Sequence, residues 1–274
     1  MAREVSGALH IRMLDLIIGK ELTRTRNFYA IYIGAHTDQV QAWREEPSDP
    51  ELQSERQEEV ERALLEFGSI QRIAHAAVLI KAYQTVEYCL TQNRKVLFGC
   101  AAQDAYHTIA EAADAWKRRN SQDDVSLDPG LGGAFGEVYD VIRPLVRNEQ
   151  TRGFLDFIKH IEMFRNSASE KVDVKALPHF GEIDMLRMLV NVFKHNNGRI
   201  FYGATRQPDP KHDVPILKHF NVNYEDENVN EEVFFVPYED LNVREYVDHV
   251  EEFCKALNGR VGRFFEKTPV KPTV

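Results

Sequence analysis

Apolar residues recur at intervals of three and four along most of the chain, and that spacing predicts helices. The first runs from Val5 to about Arg44, with Leu9, Met13, Leu16, Ile17, Tyr29 and Ile33 as its apolar positions. Within it, Phe28–Ile33 is rich in aromatic and β-branched residues and also fits a short strand. Pro47 and Pro50 break the pattern. Ser54 and Gln57 form a capping box that opens a long helix reaching about Asn93, with Gly68 as a kink point. From Ile70 to Leu90 this helix is apolar nearly all round, which predicts the most buried helix of the fold, including Ile80. His75 within it reads as a buried, hydrogen-bonded histidine.

An alanine-rich helix follows from Leu97 to about Arg119. Residues 120–136 carry Asp128-Pro129-Gly130 and Gly132-Gly133. With no strand before them and no Gly-Lys-Ser/Thr after, they predict a connector and not a phosphate-binding loop. Glu137–Val146 and Arg152–Arg165 are further helices, and Ser167–Pro178 is a loop. Beyond Arg199 prolines at 208, 210 and 215 disrupt the helical period. Arg199–Tyr202 and Glu231–Val236 read as two strands that pair beside the helices. Asn242 with Glu245 caps a closing helix whose Val243, Tyr246, Val250, Phe253, Leu257, Val261 and Phe264 form one apolar stripe. The expected architecture is mainly α. It is a single helical domain over residues 1–274, with a sub-boundary near 120–136 and a small β-containing insertion at about 199–237.

The stretch Gly181–Ile200, GEIDMLRMLVNVFKHNNGRI, concentrates the polar chemistry. At 100° per residue, Asp184, Arg187, Asn191 and His195 fall within one narrow stripe. Met185, Leu186, Leu189, Val190, Val192 and Phe193 cover the opposite arc. The stripe is expected to face water, a partner or a cleft. Asn196, Asn197 and Gly198 should end the helix, because Asn and Gly tolerate the left-handed conformation. Arg, Asn and His are residue types that bind and transform phosphates.

Asn191, His195, Asn196 and Gly198 resemble the second half of the signature of HEPN domains, many of which are metal-independent ribonucleases of prokaryotic toxin and antiviral systems. The signature begins with an Arg before the Asn; here Val190 stands at that position, and Arg187 lies one turn earlier. A second pair, Arg165-Asn166, has Glu170 near where the His belongs. The resemblance implies His195 and Asn191 as catalytic residues, and Arg187 of the same stripe is the candidate to replace the missing Arg. The resemblance adds Glu87, an acid on an early helix, and Arg165 of the second pair as auxiliary groups, and the stripe itself adds Asp184.

The formal net charge of -9 argues against broad electrostatic coating of nucleic acid but leaves room for a local basic cleft. No apolar run reaches about 18 residues, so no helical membrane span is expected. The N-terminus has no signal-peptide apolar core. Cys89, Cys100 and Cys254 are widely spaced, with no CxxC, which points to reduced thiols in a cytoplasmic protein. His212 and His219 lie seven residues apart in a proline-bearing segment without a third ligand in register, so neither a metal nor another cofactor is expected. His212-Asp213, in the same segment, does not support an HD-type phosphohydrolase.

Two functions therefore stand side by side. One is a metal-independent endoribonuclease, with His195 as acid or base and Arg187 or Arg165 on the phosphate. A homodimer would then supply the second histidine, and RNA would be the substrate. The other is an inactive HEPN-like binding or regulatory subunit that uses the same face for a protein partner or a nucleotide, with Val190 as its explanation.

Overall fold

The computed structural model describes residues 2–45, 68–99, 153–165, 171–225, 231–265 and 271–272. The described chain is mainly helical. It comprises α1 (Ala2–Glu45), α2 (68–99), α3 (Phe154–Glu162), β1 (Phe164–Arg165), α4 (Phe180–Asn196), β2 (Arg199–Tyr202), α5 (Asp213–His219), β3 (Glu232–Phe235), α6 (Val243–Phe265) and β4 (Lys271–Pro272). β2 and β3 form the antiparallel pair expected from the sequence. A second two-stranded pairing, β1 with β4, has no counterpart in the sequence pattern. Phe28–Ile33 is helical, continuous with α1. The capping box at Ser54 and Gln57, the alanine-rich helix beyond residue 99, the connector at 120–136, the helix at Glu137–Val146, and Asn166 and Glu170 lie outside the described residues. None of the described helices is long and apolar enough to cross a membrane.

The chain forms two compact units, each assembled from separated segments. The first comprises Met1–Ile18, Val86–Pro178 and Phe253–Val274, and the second Gly19–Thr85 and His179–Glu252. In the first, Leu97, Ile158, Ile161, Phe164, Phe253 and Leu257 are buried, and the rings of Phe98 and Phe164 meet edge to face at 4.8 Å. Three buried polar groups interlock there. The Asn93 amide donates to Asn258 Oδ1 at 2.6 Å, the Asn258 amide donates to Asp15, and the Cys89 thiol donates to Asn258 Oδ1 at 3.4 Å. Complete burial pushes the Cys89 thiol well above its ordinary range, so it stays a neutral donor. Cys89 and Cys254 are both free thiols.

The second unit is built around α4. Tyr238, in a 3₁₀ turn (Tyr238–Asp240) after β3, donates its hydroxyl to the Leu189 carbonyl at 2.7 Å. Its own carbonyl bonds Nδ1 of His75 at 2.9 Å, and the other ring nitrogen of His75 lies 3.3 Å from the Tyr29 hydroxyl. His75 is thus the buried, satisfied histidine that its apolar setting implied. At the C-terminus of α4 both Asn197 and Gly198 are left-handed. Asn197 N–H bonds Phe193 O and Gly198 N–H bonds Val192 O, a Schellman ending that turns the chain into β2.

Two sequence expectations about burial change. In α1 the buried stripe is Ile11, Leu14, Ile18 and Leu22, whereas Met13, Leu16 and Ile17 are exposed. The helix is apolar on more than one face, so its period reveals a helix without revealing which face is covered. In α2 the burial is one-sided. Ala74, Val78, Leu79, Ala82 and Val86 are enclosed, Ile80 is only half-buried, and Ile70 and Ile73 face solvent. α6 behaves as read, with Val243, Val250, Phe253, Leu257 and Val261 buried. At its start the Glu245 N–H donates to Asn242 Oδ1 at 3.4 Å, and the Asn242 side-chain amide donates to Glu245 Oε2 at 3.1 Å.

Leu79→Asp should therefore destabilise the protein by about 3–5 kcal/mol, since it enforces an unpaired charge in a sealed position. Ile73→Asp should change stability by less than about 0.5 kcal/mol. Urea unfolding of the two variants checks the contrast, and equal midpoints would overturn the one-sided burial of α2. A second expectation concerns alkaline pH. The Tyr202 hydroxyl donates to the Glu232 carboxylate across the β2–β3 pair, and that bond, with burial, pushes its pKa up to about 12. A raised acid keeps its proton in the folded state, so the contribution is intact below the ordinary tyrosine value near 10 and is lost as pH climbs to about 12. Glu232→Gln should flatten this part of the stability–pH curve relative to wild type. Parallel curves for the two proteins would count against it.

Candidate functional site

The polar residues picked out on α4 do not form one open face. Ile183, Leu186, Arg187, Met188, Leu189, Val190 and Val192 are all buried, and their directions span the whole circumference of the helix. Met188 lies in the arc between Asp184 and Val192, on the side expected to be polar. Exposure instead follows position along the axis: Gly181 and Glu182 are open at one end, and Lys194, His195 and Asn196 at the other. The mid-helix is enclosed because α4 occupies the interior of its unit.

Arg187 is the most consequential case. Its residue exposure is only 8%. Its Nε donates to Asp184 Oδ1 at 2.7 Å, one helical turn away, and its Nη1 lies 3.5 Å from Nδ1 of His212. The guanidinium is therefore held inside the unit by a carboxylate on its own helix. His212 reaches it because residues 213–219 form a helix, α5, where the sequence suggested a loop. Pro215 sits in the first turn of that helix, where no backbone N–H is needed. The Asp209 carboxylate accepts from the Lys211 and His212 amides and fixes the entry.

Asn191 is half-buried and His195 is exposed. Eight residues separate His195 from Arg187, which is about 12 Å of helix rise. Glu87 and Arg165 belong to the first unit, whereas Asp184, Arg187, Asn191 and His195 belong to the second. The Glu87 backbone carbonyl accepts the Thr91 hydroxyl at 2.7 Å. Arg165 lies in β1 opposite Lys271, and its side chain is outside the described residues. The structure thus brings together Asp184, Arg187 and His212, and it separates that group from His195.

Other polar groupings of the second unit escaped the sequence reading. His179, left-handed at the start of α4, stacks on His249 with centroids 4.1 Å apart, and its Nε2 lies 2.7 Å from Glu252. Phe235 of β3 is exposed, with the guanidiniums of Arg72 and Arg199 5.6 Å and 5.4 Å from its ring centroid. The strand period gave a usable signal for the second group. In Glu232-Val233-Phe234-Phe235 adjacent phenylalanines must point to opposite faces, so one of them has to face outward. No set of three or more His, Cys, Asp or Glu among the described residues is arranged to hold a metal ion.

The Asp184–Arg187 contact makes its own prediction. Asp184→Ala leaves an enclosed guanidinium without its carboxylate and should cost about 2 kcal/mol of stability. Adding Arg187→Met should restore most of that loss, because an apolar chain of similar length then fills the position. Chemical unfolding of the single and double variants measures both, and a single variant as stable as wild type would mean that Arg187 is not held as described. No protein-family model matches the chain, and no curated protein or solved structure matches it.

Proposed function

We propose that the chain is an HEPN-like helical protein that acts by binding, as a regulatory or partner-recognising subunit, and does not cut RNA. One observation carries this reading: Arg187, the cation nearest to the position of the missing motif arginine, is enclosed and neutralised by Asp184. Cleavage without a metal needs a cation on the phosphorane and an acid–base pair on the two oxygens. An arginine already engaged by a carboxylate, about 12 Å of helix away from His195, is poorly suited to that task. Val190, buried where the signature places Arg, agrees with this reading.

The endoribonuclease reading retains one supporting observation. His195 is exposed at the end of α4, one turn from Asn191, and a symmetric homodimer would set two such histidines around one phosphate. A defence or toxin role in prokaryotes belongs to this second reading.

RNA incubated with the protein in EDTA separates the two. The binding reading expects no cleavage by wild type and none by His195→Ala. Products ending in 2′,3′-cyclic phosphate, formed by wild type and abolished in His195→Ala, would replace it with the nuclease reading. Arg187→Ala would then show whether that side chain takes the place of the motif arginine.

A further inference from the structure

The two-stranded sheet of the second unit carries apolar residues on both faces, whereas a usual solvent-facing sheet keeps its outer face polar. Register places Arg199 opposite Phe235 and Phe201 opposite Val233, and residues so paired share one face. The other face carries Ile200 and Tyr202, both buried. The outer face is therefore Arg199, Phe201, Val233 and Phe235, with Phe235 49% and Val233 39% exposed.

Guanidiniums lie over these rings. Arg199 and Arg72 are 5.4 Å and 5.6 Å from the Phe235 centroid, and Arg206 is 4.3 Å from that of Phe201. Among the described residues no carboxylate forms an ion pair with any of the three arginines. In a chain of net charge -9 this is a local cationic surface with flat aromatic steps.

We propose that this face binds single-stranded nucleic acid: Arg72, Arg199 and Arg206 turn from the rings they cover to its phosphates, and its bases stack on Phe235 and Phe201 in their place. Charge complementarity selects a polyanion, and the exposed ring of Phe235 with the half-buried ring of Phe201 beside it selects one that also carries flat π-surfaces. An acidic peptide would satisfy the arginines but offers nothing matched to two phenyl faces. Phe201 and Phe235 are diagonal neighbours, whose separation is roughly 7–8 Å. That is about twice the 3.4 Å step of a stacked strand, so the bases must be unstacked, as in a single strand. Phosphates and base faces are common to RNA and DNA, so both are expected to bind. The proposal rests on the binding reading above for what the protein does, and it names the partner.

The test is fluorescence anisotropy of the full chain with a labelled 12-nucleotide single-stranded RNA. A single-stranded DNA, a duplex of the same sequence and a poly-glutamate peptide serve as comparisons. Wild type should bind both single strands and prefer them to the duplex. Phe235→Ala and Phe235→Leu should each weaken binding about tenfold, since leucine keeps apolar bulk but removes the stacking face. Arg199→Ala and Arg206→Ala should each lower the slope of log affinity against log salt by roughly 0.7. These side chains are exposed, so thermal melting of the variants should match wild type. Absence of single-strand binding, affinity unchanged in Phe235→Ala, or tighter binding of poly-glutamate than of RNA would each overturn the proposal. The first of these would leave the binding reading in place with a protein as partner. RNA cleavage in the same mixture would instead overturn the binding-only reading and leave this face standing.

Discussion

A single phenol holds the second unit in register. Tyr238 places its hydroxyl on the carbonyl of Leu189, in the middle of a helix buried on every side. Its ring packs edge to face on Phe193 at 5.2 Å, and its carbonyl is bonded by His75. Burying a tyrosine this deeply is tolerable only because both of its polar ends are satisfied. Burial keeps the phenol protonated far into the alkaline range.

The same ring dictates the path of the chain beyond α4. A Cβ on Gly198 would lie 2.8 Å from Tyr238 Cε2 and 2.8 Å from Arg72 Nη2, and the backbone there is left-handed at φ +75°. Both conditions require glycine. Gly198 in turn sets the start of β2 and receives the Val236 N–H on its carbonyl, which aligns β3. The alignment of β3 decides that Phe235 faces outward beside Arg199. Arg72, which donates to the Asn197 carbonyl, is delivered to the same ring by α2. The exposed aromatic–arginine face is thus a consequence of the packing around one tyrosine.

Placing an ion pair inside α4 has a different logic. Asp184 and Arg187 are one turn apart, so their contact forms within the helix and needs no distant partner. Enclosure then raises the penalty for separating them, because a lone buried charge is far costlier than a satisfied pair. A guanidinium in that setting is a structural element of the interior. The arginines of the sheet face, which no carboxylate among the described residues pairs, are the ones placed to meet a ligand.

Features set by neighbours within one helical turn were legible in the chain itself. The helical class, the Asn197-Gly198 stop, the Asn242–Glu245 cap and the stripe of α6 all depend on contacts between residues three to six apart. The β2–β3 pair was legible for a related reason, since short β-branched and aromatic runs bounded by turn residues have few alternatives. What the sequence could not decide was which side of each element would be covered. α1 and α2 are apolar on more than one face, and the choice of Leu14 over Leu16, or Leu79 over Ile73, was made by packing partners remote in the chain. The polar stripe of α4 failed for the same reason. Its angular pattern was real, but enclosure from all sides removed Arg187 from the surface and left His195 exposed only because it lies at the helix end. Local periodicity determines an element's form; burial is a long-range property, and only the tertiary structure assigns it.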